Sequence, residues 1–279
     1  MQSDDNKVFY YHADASSLGG FIEAPFQKVI PAQASVSLPA VGGYATVRTE
    51  SFMFEEIVSC RSAYTRVSGR EIAKDGSWST LVTSVVEGVN LLEVVTAERI
   101  VAQISVEHLR NGGARVSFAG TRFENLRLGG REVFPVLNSS LLASRQENDN
   151  SKSQGTWDTF LKVGKEQAHE LAKSIQESDN RSAFQWALQR YGWMDSKREL
   201  QQDGCVLCSL VDGVEGAAPG RSLGHFVEIP DFGRVFLGEL TVFPRAIQLT
   251  MVRAELGCNV QGKISMGVGG INGTTMPPY

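Results

Sequence analysis

Between Val8 and Leu137 apolar residues recur mostly at alternate positions, in short runs broken by glycine-containing steps. The clearest run is Arg99-Ile-Val-Ala-Gln-Ile-Ser-Val-Glu107, with Ile100, Ala102, Ile104 and Val106 on one face and Gln103, Ser105 and Glu107 on the other. That period of two predicts a half-buried strand. Ser35–Leu38 alternates in the same way, and Leu81–Val86 is rich in β-branched residues. Gly19-Gly20, Gly42-Gly43, Asp75-Gly76, Asn111-Gly-Gly113 and Gly129-Gly130 separate such runs, as expected of hairpin turns that need positive φ.

The pattern changes near Asn138. Residues 144–154 are polar and are expected to be mobile. Trp157, Phe160, Leu161, Gly164, Ala168, Leu171, Ala172 and Ile175 then recur at helical spacing, with Thr156 as the expected N-cap. Asp179-Asn180 is placed to cap a second helix carrying Phe184, Ala187, Leu188 and Tyr191 on one face and ending at Gly192. Strand patterns return over 205–211, 225–229, 234–242, 246–256 and 262–268, whereas 269–279 is too rich in Gly and Pro to be regular.

These signals predict a mainly β protein, a sandwich or barrel-like arrangement, α+β overall. The expected organisation is a β-rich part over 1–137, a polar linker with a helical hairpin over 138–202, and a β-rich part over 203–279 that completes the fold. Leu91-Leu-Glu-Val-Val95 followed by Arg99 also matches Leu237-Gly-Glu-Leu-Thr241 followed by Arg245, which raises the prospect of two β units of similar plan.

A chain of 279 residues can bury a core without disulfides or metals. Its 27 basic and 31 acidic residues give a net charge of −4 with no basic block, which argues against nucleic-acid binding. No apolar run is long enough to span a bilayer, and the polar, acidic Met1–Lys7 segment is unlike a secretory signal, so a cytoplasmic location is expected.

Cys60, Cys205, Cys208 and Cys258 are too few for a disulfide framework. Cys205 and Cys208 form a C-x-x-C pair, but Gly204-Cys-Val-Leu-Cys-Ser-Leu-Val211 reads as an apolar strand and no second ligand pair lies near it. The thiols are therefore expected to be packed in the core, and no metal or cofactor is implied.

Five segments, Val36–Tyr44, Asn90–Glu98, Phe123–Gly130, Ile229–Arg234 and Ile271–Met276, are similar to segments of bacterial β-rich proteins of unknown function. Residues 90–130 also resemble the all-β domain of the bacterial surface proteins called choice-of-anchor P, without their signal peptide or wall anchor. Neither resemblance implies an activity, so no functional residue carries across.

Of the histidines, His169 is expected to face solvent and His108 to end a strand. His12 and His225 stand at strand edges beside aromatic residues, with Asp14 and Glu228 close in sequence. Glu55 and Glu56 follow Phe52-Met-Phe54, so on a continuing strand one carboxylate would point inward, towards an arginine such as Arg48, Arg61 or Arg66. His12, Glu56, His225 and Glu228 are thus the candidate ligand-binding residues. No catalytic residue is singled out, because P-loop, nucleophile-elbow, H-E-x-x-H and EF-hand patterns do not occur.

The leading expectation is a non-catalytic protein acting by self-assembly or partner binding through strand edges and aromatic surface, and therefore a homo-oligomer. The alternative is a small-molecule-binding protein or enzyme with an aromatic-lined pocket that gathers those four residues.

Overall fold

The computed structural model describes residues 8–74, 76–110, 113–142, 154–178, 181–195, 204–243 and 245–276. The expected polar linker over 144–153 and the Asp179-Asn180 cap fall outside the described residues.

Alternating runs pair into two large antiparallel sheets. In the first the order is Arg221–Leu223, Phe226–Ile229, Gly233–Phe243, Ala246–Gly257, Gln261–Ile271, Ala13–Ala24 and Lys28–Gln33. Val206–Ser209 also pairs with Gly233–Phe243, beyond the end of Phe226–Ile229. The second sheet is built on Ser62–Glu71, Trp78–Leu91 and Val95–His108, with Gly43–Thr49 on one side and Arg131–Leu137 and Val211–Gly216 on the other.

The sheets stack with their apolar faces together, a sandwich-like arrangement that does not close into a barrel. Ile100, Ala102, Ile104 and Val106 are buried as the period of two requires, and they share one core with Leu18, Met251, Ile264 and Met266. The early strand Ala13–Ala24 pairs along its length with the late strand Gln261–Ile271, Ala13 opposite Ile271. The first and last β-rich stretches thus contribute to one sheet.

Three expectations are corrected. Gly269, Gly270 and Ile271 continue a regular strand, and Thr274–Met276 pairs with Val8–Tyr10, because glycine is tolerated where a facing sheet approaches closely. Glu55 and Glu56 do not continue the strand Phe52–Phe54. They form the tight turn before Val58–Cys60, with φ of 49° and 56°, and both are exposed, Glu55 bonding Lys28 at 2.5 Å. The likeness between 91–95 and 237–241 does not survive either, since Leu92 and Glu93 form a positive-φ hairpin turn while 237–241 lies within the long strand Gly233–Phe243.

The helical region lies on the outer face of the first sheet. The helix Gln154–Glu177 buries Phe160, Ala168, Leu171 and Ile175, as their spacing predicts, together with Val163. It starts at Gln154, so Thr156 lies within its first turn rather than capping it. Phe184 closes a short 3-10 turn, Gln185–Tyr191 is helical, and Gly192 stays right-handed at φ −62°, so the chain continues as a 3-10 turn over Gly192–Asp195. Leu171, Ile175, Phe184, Ala187 and Tyr191 form a second apolar cluster with Phe226 and Phe236 of the sheet.

Candidate functional site

A strand normally sends alternate side chains to opposite faces. In Gly233–Phe243 this alternation reverses midway: Val235 and Leu237 enter the inter-sheet core, and so do Leu240 and Val242. The reversal occurs at Gly238, whose φ of +63° is disfavoured for any residue with a Cβ. Its effect is to turn Glu239 outward, beneath the helices, where a carboxylate is 6% exposed.

A buried carboxylate needs partners, and Glu239 has four bonds to three side chains. Arg253 donates to both of its oxygens, at 2.5 Å and 2.9 Å, while Arg190 reaches Oε1 at 3.1 Å. Tyr191 donates its hydroxyl to Oε1 at 2.8 Å. Burial by itself would raise the Glu239 carboxyl, but the hydrogen bonds and charge of Arg253, with Arg190, carry it down to about 2. Glu239 is therefore an anion at neutral pH and can only accept.

That settles the next link. The single proton of the Tyr191 hydroxyl goes to Glu239, so the Tyr191 oxygen is an acceptor for Nε of Arg190 at 3.1 Å and Nε2 of His225 at 3.0 Å. Burial pushes the His225 imidazole down to about 4, with Arg253 and Arg190 opposing its protonation, so it is neutral near pH 7. A neutral imidazole that donates through Nε2 presents Nδ1 as an acceptor. Among the described residues Nδ1 has no hydrogen-bond partner, and His225 lines a cleft.

His225 and Tyr191 form the floor of a cleft of about 370 Å³ between the helix Gln154–Glu177 and the strands Val206–Ser209 and Val211–Gly216. Val163, Leu171, Leu207, Val211 and Leu223 make apolar walls, and Glu166, Glu170 and Asp212 stand exposed at the mouth. Asn138 and Gln167 turn their side-chain amide donors onto Asp212, at 3.0 Å and 2.9 Å. Among the described residues no lysine or arginine lines the cleft. Cys208 lies in its wall, where burial drives the thiol far up and keeps it protonated.

Of the four candidates read from the sequence, only His225 lines this cleft. Glu228 joins the same polar system at a distance. It lies 3.6 Å from Arg234, which is 3.7 Å from Glu255, and Glu255 is bonded to Arg253. His12 is exposed at the start of the Ala13–Ala24 strand, four strands away from His225 and hence about 19 Å across the sheet. Glu56 sits on a turn of the second sheet. The cleft is walled by aliphatic rather than aromatic side chains.

Sequence reasoning passed over Glu239, Arg253, Arg190 and Tyr191 as a group. One signal was available: Glu239 and Arg253 are lone charges inside the apolar runs 235–242 and 249–254, where each needs a partner. His169 is exposed, as expected, with Nδ1 3.3 Å from Asp195. His108 ends its strand half-buried against Phe9, its ring 4.8 Å from that of Phe9.

Among the described residues no cluster of three or more His, Cys, Asp or Glu side chains could hold a metal, and no helix is long and apolar enough to cross a membrane. No curated protein matches the chain, and no solved structure does. One family model matches residues 9–243, a span that holds the cleft, Tyr191, His225 and Glu239 and stops short of Arg253. Since that span covers most of the chain, this protein belongs to the family defined by the domain of unknown function DUF8256.

Proposed function

We propose that this protein binds a small molecule in the cleft between the helix Gln154–Glu177 and the sheet. The observation that carries this reading is the uncommitted Nδ1 of a 6%-exposed histidine whose other nitrogen is held by Tyr191 and Glu239. A concave, mostly apolar space with a few oriented polar groups is the usual form of a ligand site. Binding is favoured over catalysis because an imidazole held near 4 is too weak a base to be matched to neutral pH. The Cys208 thiol, pushed up by burial, is likewise no nucleophile.

A fragment screen followed through the methyl resonances of Val163, Leu207 and Leu223 tests the reading. Compounds that shift these signals in the native chain and lose their effect in Leu223→Trp support it. A screen in which no compound moves them overturns it.

A second reading, self-association, rests on the strand Gly43–Thr49, which among the described residues pairs only with Ser62–Glu71 and exposes Tyr44 and Val47. A strand with one free edge is a template for another copy. Light scattering over a wide concentration range tests for the homo-oligomer, and a strict monomer removes it. The four cysteines are all free thiols, which supports a reducing, cytoplasmic location.

A further inference from the structure

We infer that the ligand of this cleft is an apolar amine, bound as an ammonium ion whose N–H groups are received by Nδ1 of His225 and by the carboxylates at the mouth. This inference rests on the ligand-binding reading and narrows it to one chemical class.

His225 offers the cleft an acceptor, because its one proton is committed to Tyr191. Asp212, Glu166 and Glu170 are acceptors too. Asn138 and Gln167 direct their amide donors to Asp212 and, for Gln167, also to the Ser209 carbonyl, which leaves those donors committed rather than turned to a ligand carboxylate or carbonyl. Among the described residues no lysine or arginine lines the cleft, and Lys162, 3.9 Å from Glu166, is the one cation paired with its carboxylates. An anionic ligand would therefore face an excess of negative charge. A cation with N–H donors meets complementary groups at both depths of the cleft.

The walls fix the rest of the molecule. Val163, Leu171, Leu207 and Leu223 offer aliphatic surface, which rewards a hydrocarbon body by about 25 cal/mol for each Å² removed from water. His225 must stay an acceptor throughout, and its surroundings see to that. Arg253 and Arg190 approach from the sheet and the short helix, Glu239 is already neutralised by them, and Asp212 is the carboxylate on the cleft side. A quaternary ammonium has the charge but no N–H, so it separates hydrogen bonding from charge alone.

The experiment titrates the full chain with four probes that share a six-carbon body: hexylamine, hexyltrimethylammonium, hexanol and hexanoate. Binding is read from the methyl signals of Leu207 and Leu223. Hexylamine is expected to bind most tightly, hexyltrimethylammonium and hexanol more weakly, and hexanoate not at all. Glu166→Gln with Glu170→Gln, both at exposed positions, should weaken hexylamine between about threefold and tenfold and leave hexanol unchanged. His225→Phe, checked for native fold by circular dichroism, should abolish the preference for hexylamine over hexyltrimethylammonium.

If hexanol or hexanoate binds as well as hexylamine, the cleft remains a ligand site and the amine class is overturned. If hexyltrimethylammonium equals hexylamine in the native chain, the His225 contact is overturned. If none of the four moves the cleft signals, the amine class fails, and the fragment screen described above decides whether ligand binding fails with it.

Discussion

The side-chain amide of Gln167 bonds the backbone of Ser209 in both directions, Nε2 donating to the Ser209 carbonyl at 2.9 Å and Oε1 accepting from the Ser209 amide at 2.8 Å. A residue on the helix Gln154–Glu177 thus takes the place of a strand neighbour for Val206–Ser209, whose other side pairs with Gly233–Phe243. Helix and sheet are joined by the same groups that join strands.

Gln167→Ala should therefore leave a donor and an acceptor of Ser209 without partners. The expected cost is about 1–3 kcal/mol for the pair, with faster amide exchange at Ser209 than elsewhere in the sheet. Unchanged exchange at Ser209 would mean that water replaces the amide without penalty.

Glu239 holds two arginines and a tyrosine, so its charge matters more than its volume. Glu239→Gln should destabilise the protein by about 3–5 kcal/mol, since it leaves Arg253 and Arg190 facing each other with no anion between them. Tyr191→Phe should cost less, on the order of 1–3 kcal/mol, because it removes the bonds from His225 and Arg190 and the one to Glu239 but leaves the charges paired. Urea unfolding of both variants checks the order, and equal losses would show that the charge is not what the site depends on.

Acid should destabilise the fold in two overlapping stages. His225 falls from its ordinary 6.5 to about 4 in the folded chain, so below pH 6.5 the unfolded state takes up a proton that the folded state refuses. Stability declines from about pH 6.5 towards 4, by a total on the order of 3 kcal/mol for this group. The half-buried His108, lowered by desolvation, adds a decline of the same sign. Glu239, lowered from 4.5 to about 2, contributes stability above pH 4.5 that is lost as pH falls towards 2. His225→Gln, whose amide can still donate to Tyr191, should flatten much of the first stage and leave the second. A variant curve parallel to the native one between pH 6.5 and 4 would assign the loss elsewhere.

Gly164 faces Met194 and the strand Val206–Ser209 where the long helix packs on the sheet. A Cβ there would lie 2.8 Å from Cε of Met194 and 3.1 Å from the Leu207 carbonyl oxygen. Gly164→Ala gains helix propensity of roughly 1 kcal/mol but must move backbone on the sheet side. The expected net effect is destabilisation by about 1–2 kcal/mol, read as a lower Tm. A higher Tm would mean that the helix shifts outward without loss.

Much of the scaffold is written in periodicity. Ile100 to Val106 and Phe160 to Ile175 each bury the face their spacing selects, because a single strong period leaves one solution. The site is less legible, for two physical reasons. Alternation is interrupted at Gly238, so counting by twos along 233–243 assigns Glu239 to the wrong face. The contacts that matter are also distant in sequence: Tyr191 and Glu239 are 48 residues apart, and His225 and Tyr191 are 34 apart. Local reasoning singled out His225 for its neighbours Phe226 and Glu228, yet what gives its ring a fixed tautomer is a tyrosine on a different element. Glu56 shows the converse, since two adjacent glutamates after an aromatic strand take positive φ and end the strand.

The pairing of Ala13–Ala24 with Gln261–Ile271 sets the order of events during synthesis. Ile271, the partner of Ala13, is made more than 250 residues after it. Until then Ala13–Ala24 has only Lys28–Gln33 and Val36–Ser37 to pair with, and the strand that lies between it and Ala246–Gly257 is missing. At the usual rate of about 5–20 residues per second the interval lasts more than about ten seconds. The nascent chain carries this strand without its late partner through that time, so its solubility depends on whatever shields Leu18 and Ile22, both fully buried in the folded protein.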